Sequence, residues 1–255
     1  MSNFKESAWA DDRFAENYLD KADIYIVERR KLFSFVSSLF NHFCNRQDNT
    51  KVLDIGCGDG VLTEVLFKTN SAISATLIDG NEGMIQRAKN RLIAFQNVRF
   101  VKATFQEILD GAIELGNYDF CASSMSIHHL EMSEKASLFR HIASHLNPGG
   151  HFVNIDVVLP PSEELEGWYF NIWKDWMRKM MNRHNIKDET PEDLIKRYKD
   201  PSSMNKPDTL RNQLAALDKA GFIDVDCYFK NGIFTVFGGK KTIADENHPL
   251  HPETP

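Results

Sequence analysis

The chain has no CxxC pair. Its four cysteines, Cys44, Cys57, Cys121 and Cys227, are scattered through 255 residues, which argues against a bound structural metal and against the dense disulfide framework of a small secreted domain. A reducing cytoplasm is the compartment that fits. No apolar run approaches the roughly 18 to 20 residues needed to cross a bilayer, so no membrane association is expected. The opening stretch, MSNFKESAWADDRF, lacks the basic-then-apolar pattern of a secretory signal. Positive charge is also in short supply. Lys and Arg number 30 against 36 Asp and Glu, a net charge of -6, and attraction to a phosphate backbone needs a concentrated basic surface. Nucleic acid is therefore not the expected partner. Internal repeats and low-complexity tracts are absent as well. What is present is an ordinary globular composition, 42% hydrophobic and 26% charged, enough to bury a core.

The apolar residues give the order of elements. Ile26, Val27, Phe33, Val36, Leu39, Phe40 and Phe43 recur at near-helical spacing, which predicts a helix over 24–44 ended by the polar residues 45–50. Lys51 to Ile55 reads as a strand closed by a glycine cluster, and 61–68 as a helix that opens on that cluster. The alternation repeats with strands over 75–78, 98–101, 118–123 and 151–157 and helices over 82–95, 105–109 and 133–146. Strands alternating with helices predict a parallel sheet covered on both faces, with ligands at the carboxyl ends of the strands. Between Leu159 and about Asp208 the alternation gives way to a stretch rich in Trp, Tyr, Met, Lys and Arg, which reads as a helical cap. A helix over 209–220 follows. Strands over 222–230 and 232–238 then flank Asn231-Gly232, a hairpin signal, and the tail His248 to Pro255 reads as frayed.

The chemistry concentrates at Val52-Leu53-Asp54-Ile55-Gly56-Cys57-Gly58-Asp59-Gly60, between the first strand and the helix after it. Glycines there let the backbone approach a ligand closely and expose amide groups at a helix N-terminus. A dinucleotide fingerprint would need glycine where Val61 stands. Asp79 closes the second strand, where a carboxylate can accept both hydroxyls of a ribose.

VLDIGCGDG resembles the first motif of the class I S-adenosylmethionine-dependent methyltransferases. Tyr118 to Leu130, ending in His128-His129-Leu130, is similar to the fourth-strand motif of the small-molecule branch, and Asn147-Pro148-Gly149-Gly150 matches the turn before its fifth strand. The C-terminal strands are similar to a prokaryotic group likened to enzymes that build or use carboxy-S-adenosylmethionine for transfer-RNA wobble uridine. The resemblance implies an α/β, Rossmann-like fold: a seven-stranded, mostly parallel sheet with a C-terminal antiparallel hairpin and a helical cap. It implies one domain over 1–255, with an N-terminal helical lid over 1–50 and a cofactor-binding core over 51–157. A cap insertion over 158–208 and a C-terminal helix with edge strands over 209–241 complete it. The implied cofactor is S-adenosyl-L-methionine, leaving as S-adenosyl-L-homocysteine. Gly56, Cys57, Gly58 and Gly60 would lie against its amino-acid and ribose parts. Asp54 would hold the methionine ammonium directly or through water, Asp79 the ribose, and Gly80 and Met84 would flank the adenine. Thr104 stands where the family usually has Asp, its hydroxyl facing the adenine amino group, with Phe105 stacked on the ring and Ser124 near the methyl group.

The resemblance implies methyl transfer by in-line displacement to a small-molecule acceptor, by a monomer or homodimer. The alternatives are a transfer-RNA wobble-uridine enzyme using S-adenosylmethionine or its carboxy derivative, and a non-catalytic cofactor-binding regulator. An acceptor hydroxyl needs a base, for which His129, His128 and Tyr18 are the candidates. Substrate recognition is expected outside the core, from Tyr25, Arg29, Trp168, Trp173, Arg197 and Tyr198. Aromatics stabilise a sulfonium and exclude water, and the Arg197 guanidinium next to Tyr198 is suited to a carboxylate.

Overall fold

A computed structural model describes residues 4, 7–44 and 49–243; the readings made for 45–48 and for the tail lie outside the described residues. Five strands, β1 (Lys51–Ile55), β2 (Ser74–Asp79), β3 (Val98–Lys102), β4 (Tyr118–Ser124) and β5 (Leu146–Val157), pair in parallel. Two more, β6 (Phe222–Asn231) and β7 (Phe234–Lys241), add an antiparallel edge, giving the order β3-β2-β1-β4-β5-β7-β6. This is the expected seven-stranded α/β sheet. β1 is buried from Val52 to Ile55, as a central parallel strand covered on both faces must be. One apolar layer takes α3 (Arg29–Phe43), α4 (Val61–Thr69), α5 (Glu82–Arg91) and α8 (Glu163–His184); the other takes α6 (Phe105–Leu109), α7 (Met132–His145) and α10 (Leu210–Lys219). The strand order reverses between β1 and β4, so the loops leaving those two strands diverge and open a crevice at their carboxyl ends.

Several boundaries differ from the sequence reading: α5 ends at Arg91, short of the helix expected over 82–95, and three other differences bear on the site or the sheet. The helix expected over 24–44 is broken: α1 (Asp12–Asp20) and α2 (Ala22–Tyr25) precede α3, Ile26 is extended, and Glu28 is left-handed at φ 50°. A left-handed non-glycine residue costs ~1–2 kcal/mol. Ile26 and Val27, adjacent and only 3% and 2% exposed, offset it, since burying one such side chain is worth ~1.5–3 kcal/mol. β5 starts at Leu146, opposite Tyr118, so the Asn-Pro-Gly-Gly stretch lies in its irregular opening. The hairpin turn is Gly232-Ile233, Asn231 being already paired with Phe234.

Residues 158–208 form α8 and α9 (Pro191–Lys199). α8 buries Phe170, Trp173, Met177 and Met181 along one stripe. Trp173 Nε1 donates to the carbonyl of Tyr25 at 2.7 Å. Glu189 accepts from Lys21 at 3.0 Å, from the Tyr25 hydroxyl at 2.8 Å and from Arg197 at 2.6 Å. The first helices and α8–α9 are thereby clasped to each other over the carboxyl edge of the sheet. No helix among the described residues is long and apolar enough to cross a membrane.

Candidate active site

β1 delivers the chain into the glycine loop at the crevice. A Cβ on Gly56, whose φ is +67°, would meet Ser126 Cβ at 2.5 Å, so the loop lies directly against the chain leaving β4. Gly58, at φ +53°, would meet nothing within 4 Å; its backbone faces open space. Gly60 lies off the cavity wall, because a Cβ there would meet Ala88 Cβ at 3.2 Å, and its role is to let α4 close on α5.

Asp79 closes the other side of this corner. Its Oδ2 accepts from the Gly58 amide and its Oδ1 from the Asn81 amide, both at 2.9 Å. Burial raises its pKa and these backbone donors oppose the rise. A carboxylate has about four lone-pair sites, so each oxygen keeps capacity for a ligand hydroxyl. Asp54 sits behind the wall. Its Oδ2 accepts from Thr63 Oγ1 at 2.6 Å, while Oδ1 is buried without a hydrogen-bond partner. Burial, aided by the charges of Asp79 and Asp59, pushes its pKa up to about 7. An orphaned buried carboxylate oxygen is costly, and it marks a position completed by a donor that the side chains here do not provide.

From this corner a cavity runs past Gly80 and Met84 to Thr104 and Phe105, and past Ser124 to His129. Cys57 is on its wall with a thiol that burial holds well above its ordinary pKa. Thr104 does more than face the cavity. It caps α6 in a capping box, its hydroxyl 2.9 Å from Glu107 Oε2 and accepting from the Glu107 amide at 3.2 Å, so part of its hydrogen-bonding capacity is already engaged. Tyr18 lines the far side, its hydroxyl pushed up to about 12 mainly by burial. His129 also lines it. Burial and the neighbouring His128 hold its pKa well below the ordinary value, Nδ1 lies 3.4 Å from the Met204 carbonyl, and Nε2 is buried without a partner. His128 stands one layer back, off the cavity wall, with Nδ1 2.5 Å from Asp156 Oδ1.

Of the six substrate candidates, Arg29 lines the cavity and the other five do not. Tyr25 gives its hydroxyl to Glu189, and Trp173 gives its indole N–H to the Tyr25 carbonyl. Tyr198 packs on Phe170 and Trp173. Trp168 is 58% exposed, and Arg197 pairs on the surface with Glu189. The buried stripe of α8 and the clasp through Glu189 account for these positions.

Phe4 and Met204 on the wall were outside the reading, and Trp9, an aromatic of the N-terminal segment expected to take part in substrate recognition, joins them there. Phe4 lies over Gly80, its ring 2.9 Å from where a Cβ would stand. Trp9 packs on Tyr18 at 4.9 Å and His129 at 5.6 Å between ring centroids, and its carbonyl accepts from Asn81 Nδ2 at 2.8 Å. Met204 arrives from the loop that buried Lys135 holds by donating to the carbonyls of Leu130 and Lys206. Aromatic content pointed to the N-terminal stretch, but nothing local marks Phe4 or Met204.

Residues 46–215 match the model of a methyltransferase domain. Among curated proteins, the carboxy-S-adenosyl-L-methionine synthase of Staphylococcus epidermidis is 24% identical over 222 residues, covering 84% of this chain and 86% of that protein. The synthase of Shigella boydii is 25% identical over 224 residues, covering 86% and 85%. Among solved structures, an O-methyltransferase family protein from Burkholderia thailandensis superposes with a TM-score of 0.63 at 14% identity, over 94% of this chain and 64% of that one. Human N-acetylserotonin methyltransferase in complex with S-adenosylmethionine gives 0.60 at 15% identity, over 92% and 57%. The chain thus spans less than two thirds of the length of these solved structures.

Proposed function

The chain belongs to the methyltransferase-domain family, S-adenosylmethionine-dependent enzymes of Rossmann-like fold, and from that premise we propose that it transfers a methyl group to a small-molecule acceptor in this cavity. The observation that carries the reading is the corner between Gly58, open to the cavity, and the Asp79 carboxylate with lone pairs to spare. Asp79 would take the ribose hydroxyls, and Met84 and Phe105 the faces of the adenine. The orphaned Oδ1 of Asp54 would reach the ammonium through water. S-adenosylmethionine supplies a methyl group already activated on a sulfonium, so the protein's part is alignment and exclusion of water. Trp9 and Tyr18 cover the cavity with aromatic surface suited to a cation. His129, held neutral, offers Nε2 as a hydrogen-bond acceptor to an acceptor hydroxyl or amine; its lowered pKa makes it a weak base. His128, bound to Asp156 and packed at a tilt against His129 at 4.1 Å between centroids, positions that ring.

A second reading, synthesis of carboxy-S-adenosylmethionine, is favoured by the names of the curated relatives, which match over most of both chains. Calorimetric titration with S-adenosylmethionine and S-adenosylhomocysteine tests the premise common to both: micromolar binding, lost in Asp79→Ala and Gly58→Val, is expected. Absence of binding by the folded protein would refute it. Mass spectrometry of the nucleoside product then separates the readings, since methyl transfer leaves S-adenosylhomocysteine and carboxylation leaves a heavier sulfonium.

A further inference from the structure

The cavity wall carries one cationic side chain among the described residues, Arg29. Its side chain is 14% exposed, and its guanidinium lies 4.9 Å from the Phe33 ring. Only Nη1 is hydrogen-bonded among the described residues, to Asp23 Oδ1 at 3.1 Å, so the Nε and Nη2 donors are left over. Asp23 does not cancel Arg29, because its other oxygen is held by Arg30 at 3.0 Å. Two guanidiniums share one carboxylate and leave a net single positive charge. The other two charged groups on the wall are carboxylates: Asp59 is paired with Arg91, and Asp79, at the glycine-loop end, is held by the amides of Gly58 and Asn81 with lone pairs left for a ligand. Tyr18, on the same cavity wall, has a hydroxyl without a hydrogen-bond partner among the described residues, and beyond its burial it senses the charge of Arg29 and, in the opposite sense, that of Asp156. It stays protonated at neutral pH and is therefore a donor.

We infer that Arg29 and Tyr18 form a carboxylate-binding corner in this cavity. A planar guanidinium with two free donors and a neighbouring O–H suits a carboxylate, and the net single charge matches a monoanion better than a phosphate dianion. The inference rests on the proposed methyltransferase reading and adds to it the chemistry recognised at the end of the cavity away from Asp79. Two carboxylates can fill the corner, the one on the amino-acid end of the cofactor and one on the acceptor, and they are separable by experiment. The role that the sequence suggested for Arg197 passes to Arg29, because Arg197 is on the surface with Glu189.

The test titrates the full chain, Arg29→Gln and Tyr18→Phe with S-adenosylhomocysteine and with 5′-methylthioadenosine, which lacks the amino-acid carboxylate. Benzoate and benzamide are then titrated into the protein saturated with S-adenosylhomocysteine. If the cofactor fills the corner, Arg29→Gln weakens S-adenosylhomocysteine at least ~10-fold, the worth of one charge-assisted hydrogen bond, and leaves 5′-methylthioadenosine unchanged. If the acceptor fills it, S-adenosylhomocysteine binds all three proteins alike, and the wild type prefers benzoate to benzamide while Arg29→Gln does not. Equal weakening of both nucleosides, or no change in either together with no preference for benzoate, overturns the inference. Tyr18→Phe removes a single oxygen and keeps the test decisive should Arg29→Gln fail to fold; a several-fold effect in the same direction is expected. A folded wild type that binds neither nucleoside fails earlier, at the cofactor reading, and takes the inference with it.

Discussion

The two ends of the cavity are built differently. At the glycine-loop end the polar groups come from one stretch of chain between Asp54 and Met84, and most polar contacts are made by backbone amides, as between Gly58, Asn81 and Asp79. At the other end Trp9, Tyr18, Arg29, His129 and Met204 come from distant parts of the chain. They are held by a clasp of side chains: Asn81 to the Trp9 carbonyl, Arg87 to Glu16 and Asp20, Trp173 to the Tyr25 carbonyl, and Glu189 to Lys21, Tyr25 and Arg197. A site made of backbone tolerates little change but needs only local sequence. A site made of side chains from many segments can be altered piecemeal, and its composition can follow the acceptor while the cofactor end stays fixed.

The sharpest break of that contrast is at the glycine-loop end. Gly58→Val puts a β-branched side chain at φ +53° and into the open space, and Asp79→Ala removes the acceptor proposed for two ribose hydroxyls, each charge-assisted bond worth ~1.5–3 kcal/mol. Cofactor affinity should fall ~100-fold or more in calorimetry, with melting curves showing that both variants still fold. Retained binding would move the cofactor elsewhere.

Next in size is Asp54. Its pKa is raised from 3.8 to about 7 in the folded chain, chiefly by burial. Between those values the folded protein keeps a proton that the unfolded chain has released, so stability falls as pH rises through the window and the full cost is present above it. At ~1.4 kcal/mol per unit that is about 4 kcal/mol at most. Asp54→Asn should therefore gain stability relative to the wild type as pH goes from about 4 to about 7 in urea denaturation, and a parallel pH profile in the two proteins would refute the account.

The clasp should respond less. Trp173→Phe deletes an indole donor and leaves the buried Tyr25 carbonyl short of a partner, a loss of ~1–3 kcal/mol. It should lower Tm by several degrees and raise KM for the acceptor more than KM for the cofactor. Glu189→Gln weakens charge-assisted bonds that are partly exposed, worth about 1 kcal/mol or less each. A few-fold rise in acceptor KM is expected, shrinking in high salt. Equal effects on both substrates would erase the distinction between the two ends. Trp168→Ser, at an exposed position off the cavity, should change stability by no more than ~0.5 kcal/mol and leave both KM values alone.

The order of strands and helices, the glycine loop and the place of Asp79 were legible in the sequence. Each depends on residues close together in the chain: an apolar run long enough for a buried strand, glycines where φ must be positive, a carboxylate at a strand end. Thr104 carries two local signals at once, since its cap on α6 follows from Glu107 three residues on and its place after β3 is the one that the family resemblance gives to the adenine. Which aromatic and basic side chains meet the cavity was decided by tertiary structure alone. Tyr18 and Tyr25 are equivalent in sequence, as are Arg29 and Arg197, but Glu189 captures Tyr25 and Arg197 from outside the cavity. The left-handed Glu28 breaks the helix expected there and begins α3 at Arg29, on the cavity wall. Local sequence fixes local geometry, whereas the direction a surface side chain finally takes depends on partners brought to it by chain segments far away.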